Sequence, residues 1–188
     1  MVQIRLLFRQ ALELSDADWG IFSSRLVKQE FSKKSVLLHA GQTENYLSFI
    51  EKGIVRYYIP GEENDLSFGF SFGNEFTSGY DSFLSQKPSE YQIETLTPSV
   101  LWRISHNSLQ EVYRLSGAGN IIGRLMAENL FIKKSARELS LLKDTAEQRY
   151  LNLFRERPNL IREIPLKYIA SYIGITPQAL SRIRKRIT

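Results

Sequence analysis

The period of the apolar positions changes twice along this chain, from helical to strand-like and back to helical. Over residues 4–29 the spacing predicts helix. Leu14 is followed by Ser15-Asp16-Ala17-Asp18 as a helix start, with Trp19, Phe22, Leu26 and Val27 as the apolar stripe. Residues 30–105 break into short β-type runs at 35–38, 46–51, 54–59, 66–72, 91–95 and 100–104. Gly41, Lys52-Gly53, Pro60-Gly61 and Gly73-Asn74 supply the turns. Closely spaced short strands of this kind predict a β-sandwich or roll. Phe68, Phe70 and Phe72 recur at period two, a pattern that can line a ligand cavity but more often makes one inner face of a sheet, so core packing is expected.

From Leu109 the helical period returns. Ala118, Ile122, Leu125, Asn129, Ile132, Ala136 and Leu139 are spaced alternately four and three apart, the seam of a coiled coil with Asn129 as its one polar member. Such a seam predicts a parallel homodimer; the competing reading packs the same stripe on the protein's own β-domain. Asp144-Thr145 interrupts the seam, and either residue can cap a helix over 146–155 whose Tyr150, Leu151, Leu153 and Phe154 supply core. Residues 155–159 are predicted to be a loop. In the last segment Ile169, Ile173, Ile175, Leu180, Ile183 and Ile187 shift register once, across Gly174-Ile175-Thr176-Pro177. Two short helices meeting at a tight turn produce that break, with Gly174 free to take positive φ, Thr176 as N-cap and Pro177 preset for the first turn. On the second helix Gln178, Ser181, Arg182 and Lys185 share the face opposite Leu180, Ile183 and Ile187, and their chemistry suits base edges and phosphates.

Charge sharpens this division. Residues 1–132 carry 12 Lys/Arg against 15 Asp/Glu, whereas residues 133–188 carry 13 against 5, a net of +8. An acidic front joined to a basic end fits a sensor fused to a nucleic-acid-binding unit. The absence of Cys excludes disulfides and thiolate metal sites, and the two His, His39 and His106, are too few for a metal centre. No apolar run approaches the roughly 18 residues of a membrane helix and the N-terminus lacks a signal-peptide core, so a cytoplasmic protein without membrane contact is expected.

The order of helix, glycine-punctuated β-roll, seam helix and terminal helix-turn-helix resembles the Crp-Fnr family of bacterial transcriptional regulators. The most specific stretch is 164–185, with Ala170 at the close helix approach and Gly174 at the turn; the run Gly53-Ile54-Val55-Arg56-Tyr57-Tyr58 is a weaker match. The resemblance implies an α+β fold in which 1–115 is a jelly-roll-like sensor β-roll flanked by helices, 116–143 a dimerisation helix, and 144–188 an all-α helix-turn-helix domain. It implies a dimer seam of Ile122, Leu125, Asn129, Ile132, Ala136 and Leu139. Two recognition helices would then read a palindromic operator in double-stranded DNA, with half-sites about 34 Å apart. Arg182 falls where the family carries a base-reading Arg able to pair with guanine, and Gln178 can read adenine. Thr176, Ser181, Arg184, Lys185 and Arg186 are placed as phosphate contacts, and Pro177 opens the helix. With the chain stopping at Thr188, these residues, assisted by Lys167 and the 155–162 region, are expected to contact DNA without a wing hairpin.

The ligand site departs from the family pattern. Relatives that bind cyclic AMP follow a Gly-Glu step with an Arg that neutralises the phosphate. Here the matching stretch, 73–83, and the residues after it to Tyr91 contain no Arg, and Lys87 is the one basic residue. A buried phosphate without a guanidinium is poorly compensated, so the effector is expected to be a small molecule other than cyclic AMP. The resemblance puts its pocket at Glu75, Gly79, Tyr80, Ser89, Tyr91 and Asn129. No catalytic residue, cofactor or metal is expected. A cupin-type enzyme would need more His than His39 and His106, and no Gly-x-Ser-x-Gly elbow or Walker loop is present. The remaining alternative is a ligand-binding or protein-interaction module of the same fold that does not bind DNA.

Overall fold

The computed structural model describes residues 1–11 and 13–187; Leu12, inside the stretch predicted to be helical, and Thr188 lie outside them. The elements are α1 Val2–Ala11, α2 Asp16–Ser23, β1 Val27–Phe31, β2 Val36–Leu38, β3 Tyr46–Lys52, β4 Ile54–Ile59, β5 Leu66–Phe72, β6 Phe76–Thr77, α3 Tyr80–Ser85, β7 Gln92–Thr95, β8 Ser99–Ser105, α4 His106–Leu115, α5 Gly117–Lys143, α6 Ala146–Glu156, α7 Pro158–Glu163, α8 Leu166–Tyr172 and α9 Pro177–Ile187. The predicted first helix is in fact two helices and a strand. Ser15 caps α2, its hydroxyl accepting from Asp18 N, but Val27, read as part of the helical stripe, is exposed and opens β1. All five β1 residues pair antiparallel with β8, Val27 opposite Arg103 and Phe31 opposite Ser99, so tertiary pairing overrides the helical period. Residues 155–159, read as a loop, also differ: α6 continues to Glu156, only Arg157 leaves helical geometry, and Pro158 opens α7.

The strands form two four-stranded sheets, in the orders β1-β8-β3-β6 and β2-β7-β4-β5. One apolar cluster packs α1, α2, α4 and the start of α5 on the first sheet through Ile4, Phe8, Phe22, Phe49, Ile104, Leu109, Val112 and Ile122. A second joins the two sheets through Leu38, Ile50, Val55, Ile93 and Leu101. Of the three period-two phenylalanines, Phe70 is buried and Phe68 and Phe72 are partly buried. Gly53, between β3 and β4, takes φ +116°, and a Cβ there would stand 2.8 Å from Ser99 Cα. The turn therefore requires glycine for both conformation and space.

The described residues form two compact units, 1–57 with 70–129 and 58–69 with 130–188. Helix α5 runs through both, and the 58–69 hairpin segment belongs with the terminal helices. Within that second unit Ser67 N donates to Ser171 Oγ on α8 at 2.8 Å. Thr145 caps α6 with a full capping box, its hydroxyl accepting from Gln148 N while Gln148 Oε1 accepts from Thr145 N. Helix α6 packs on α7, α7 on α8 and α8 on α9, with Tyr150, Leu153, Leu160, Ile164, Ile169, Ala170, Ile173, Leu180 and Ile183 buried.

In the first unit Glu44, only 5% exposed, ties the loop before β3 to the start of α3. Its carboxylate accepts from Tyr46 N at 2.9 Å and Gly79 N at 3.2 Å, while Glu44 N donates to Ser82 Oγ at 3.0 Å. Burial raises the carboxyl's pKa above its ordinary 4.5, outweighing the backbone donors of Tyr46, Gly79 and Asn45 and the charge of Arg103.

Two outcomes are expected. Gly53→Ala lowers stability by about 2 kcal/mol or more in denaturant unfolding; an unchanged midpoint would show that the turn tolerates a side chain. Since the folded pKa of Glu44 is raised, the unfolded chain releases this proton first, and the group withdraws stability as pH rises from about 4.5 through the folded pKa. Glu44→Gln removes that contribution, so unfolding free energy falls less between acid and neutral pH in the variant than in the wild type. Parallel profiles would show that Glu44 is not the titrating group.

Candidate nucleic-acid interface and the roll site

Helix α9 begins at Pro177 because three features meet there. Gly174 takes φ +78°, Thr176 Oγ1 accepts from Ala179 N at 3.2 Å, and Thr176 O accepts from Leu180 N at 3.0 Å. Leu180 and Ile183 are buried and Ile187 is 38% exposed, so the predicted inner face holds for its first two turns. Gln178, Ser181, Arg182 and Lys185 are all exposed, at the spacing that puts them side by side along one helix face. Thr176, Pro177, Arg184 and Arg186 are exposed as well. Arg186 is also engaged, donating to Glu147 Oε2 at 2.8 Å; an ion pair this exposed is worth about 0–1 kcal/mol and can yield to a phosphate. Of the helpers anticipated from sequence, Lys167 stands 4.9 Å from the Tyr168 ring and Arg162 pairs with Glu163.

Four of the six predicted pocket residues are held around α3. Gly79 is buried at its start, where an added Cβ would lie 3.6 Å from Tyr91 Oη. Tyr80 stacks on Phe83 at 6.2 Å, and burial raises its phenol. Ser89 is buried, its hydroxyl donating to Tyr91 O at 2.9 Å, and Tyr91 Oη donates to Asp81. Burial, then the Asp81 carboxylate, push the Tyr91 phenol well above its usual range, so it remains a donor. Glu75 closes the turn after β5, accepting from Phe72 N at 3.0 Å. Asn129 sits on the exposed side of α5 and donates to Leu125 O at 2.9 Å. Two features carry no signature in the sequence: Glu44, whose carboxylate takes the Gly79 amide, and the pair of buried Arg56 with partly buried Glu94, joined at 2.8 Å between β4 and β7. Glu44 has no motif, and the sequence does not show that Arg56, within the 53–58 run, is paired across the sheet with Glu94.

Helix α5 is divided in its packing. Ala118 and Ile122 are buried, Ile122 in the core beside Phe22 and Val112, so the N-terminal end of the predicted seam is spent on the chain's own first unit. Leu125 is partly covered, whereas Ile132 and Leu139 are 64% and 56% exposed, and Asn129 and Ala136 are exposed too. A crevice of about 20 Å³ lies among Phe8, Trp19, Phe22, Val112 and Met126, room for about one water and too small for an effector. Among the described residues no group of three or more His, Asp or Glu could hold a metal ion, and no helix is long and apolar enough to cross a membrane.

Residues 28–116 match the cyclic nucleotide-binding domain family. No curated protein matches the sequence. Among solved structures, the chain is similar to the c-di-GMP responsive global regulator CLP of Xanthomonas campestris, with TM-score 0.68 and 16% identity over 92% of this chain and 91% of that one. It is similar to FixK2 of Bradyrhizobium japonicum, with TM-score 0.72 and 14% identity over 86% and 84% of the two chains. A Crp/Fnr-family transcriptional regulator of Eubacterium rectale gives TM-score 0.70 and 15% identity over 93% and 84%. Residues 28–116 are thus similar to a cyclic nucleotide-binding domain, and the chain, with terminal helices after that segment, has the fold of these solved structures.

Proposed function

We propose that this protein is a homodimeric, sequence-specific DNA-binding regulator of transcription whose cyclic nucleotide-binding domain senses a small molecule other than cyclic AMP. The observation that carries the reading is α9. One face, Leu180 and Ile183, is buried in its own unit, and the other presents Gln178, Ser181, Arg182 and Lys185 to solvent in a segment of net charge +8. A helix anchored in this way can enter a major groove without unfolding any of its support. Arg182 then reads guanine and Gln178 adenine, while Thr176, Ser181, Arg184, Lys185 and, once released from Glu147, Arg186 hold phosphates. Helix α5 supplies the pairing surface from Leu125 onward, through Asn129, Ile132, Ala136 and Leu139.

The chemistry around α3 supports the exclusion of cyclic AMP. Besides lacking Arg over 73–91, this stretch has the amide of Gly79, the residue that caps α3, already occupied by the Glu44 carboxylate, which repels a second anion.

Affinity for a duplex selected from random DNA by the wild-type protein is expected to fall about 5- to 150-fold in Arg182→Ala, with random duplex little affected. Equal loss on both would remove Arg182 as a base reader, and absence of binding to any duplex at low salt would remove the DNA reading altogether. For the dimer, Ile132→Glu should move sedimentation toward the monomer while the thermal midpoint of the protomer fold holds, since Ile132 is exposed in one chain. A wild-type protein that is monomeric at all concentrations would end that part of the reading.

A further inference from the structure

A helix that stops against packed neighbours leaves its last carbonyls in need of donors. At the end of α8 the four carbonyls of residues 170–173 are all satisfied, two of them by backbone. Ile175 N donates to Ala170 O and Gly174 N to Ser171 O, each at 3.0 Å. The other two are taken by guanidinium groups from elsewhere in the unit. Arg137 of α5 donates from Nη2 to Tyr172 O at 2.8 Å, with its guanidinium 4.4 Å from the Tyr172 ring centroid. Arg149 of α6 donates from Nε to Ile173 O at 2.8 Å and from Nη1 to Asp144 O at 2.6 Å.

Those partners mark both ends of a joint. Asp144 closes α5, its amide bonded to Ser140 O at 3.0 Å and its carboxylate to Ser140 Oγ at 2.6 Å. Ile173 opens the turn into α9, and a Cβ at Gly174 would lie 3.8 Å from Arg149 Nη2. One planar fork thus bridges the α5–α6 junction and the α8–α9 turn, while Arg137 adds a second link from α5. A guanidinium offers several fixed, divergent donors, whereas an ammonium is a single centre and cannot reproduce that span. Arg137 Nε is buried as well, so this cation is turned into the unit rather than toward phosphates.

We infer that Arg137 and Arg149 are positioning residues that lock the direction of α9 to the C-terminal half of α5, so that a displacement of α5 is carried into the recognition helix. This rests on the DNA-binding reading, and its test separates the two. In Arg149→Lys and Arg137→Lys, discrimination between the selected duplex and random duplex should fall by about tenfold, as expected when a hydrogen bond to a charged group is lost. Affinity for random DNA and the slope of log K against log salt should stay at wild-type values. Loss of a phosphate contact would instead weaken binding to all duplexes and make the salt slope shallower by about 0.9 per contact; that result, or unchanged discrimination, overturns the assignment. A second measurement needs no DNA. The chain has no cysteine, so the substitutions Lys134→Cys and Lys185→Cys introduce a unique pair for spin labels on α5 and α9. The distance distribution between them should broaden in Arg149→Lys, and an unaltered distribution also overturns the proposal.

Discussion

The end of α8 is the point on which the terminal unit turns. Ala170 and Ile173 are buried there and Ser171 and Tyr172 are partly covered, so the carbonyls of this turn are met largely by donors of the chain itself. The chain meets the demand by bringing in positive charge at the negative end of the helix, where dipole and hydrogen bonding act together. Because the donors come from α5 and α6, the same contacts that satisfy α8 also fix where the next helix starts. Gly174 and Thr176 then set its direction within three residues of backbone. Stability and aim have a common origin in this unit, and the exposed face of α9 is free to vary in sequence without disturbing either.

The two-sheet unit solves a different problem. It buries charge between strands, with Arg56 only 1% exposed against Glu94, and Glu44 against backbone amides. Such groups contribute less net stability than an apolar core would, yet removal of one partner strands the other, so they hold β4 to β7 and the loop before β3 to α3 in one arrangement. The apolar clusters of Phe49, Ile104 and Leu109 on one side and Ile50, Ile93 and Leu101 between the sheets supply the driving force.

Much of this was legible from periodicity and caps, because both are local. Strands β3, β4 and β5, the Ser15 and Thr145 caps, and the Gly174-Thr176-Pro177 turn are written within a few residues of where they act. Strand β1 was not legible: Val27-Lys28-Gln29-Glu30 are all exposed, and only pairing with β8, seventy or so residues later, makes them a strand. Ile122 looked like a seam residue because a 3-4 spacing is the same whether the stripe meets a partner or the chain's own core. The arginines at α8 were hidden for a similar reason. Composition counts a cation but does not say whether it faces solvent or a carbonyl 24 or 35 positions away in sequence.

Strand β5 lies at the end of its sheet, and its outward amide at Ser67 meets the hydroxyl of Ser171 rather than another strand. The Ser171 hydroxyl accepts that proton and donates to Asp65 O at 3.4 Å, so a single side chain takes the place of a neighbouring strand over this short stretch. The ladder therefore terminates chemically where it stops geometrically, and a foreign strand approaching this edge finds the Ser67 amide already taken. Ser171 thereby occupies part of a β-sheet edge from within a helix, through atoms that take no part in the exposed face of α9.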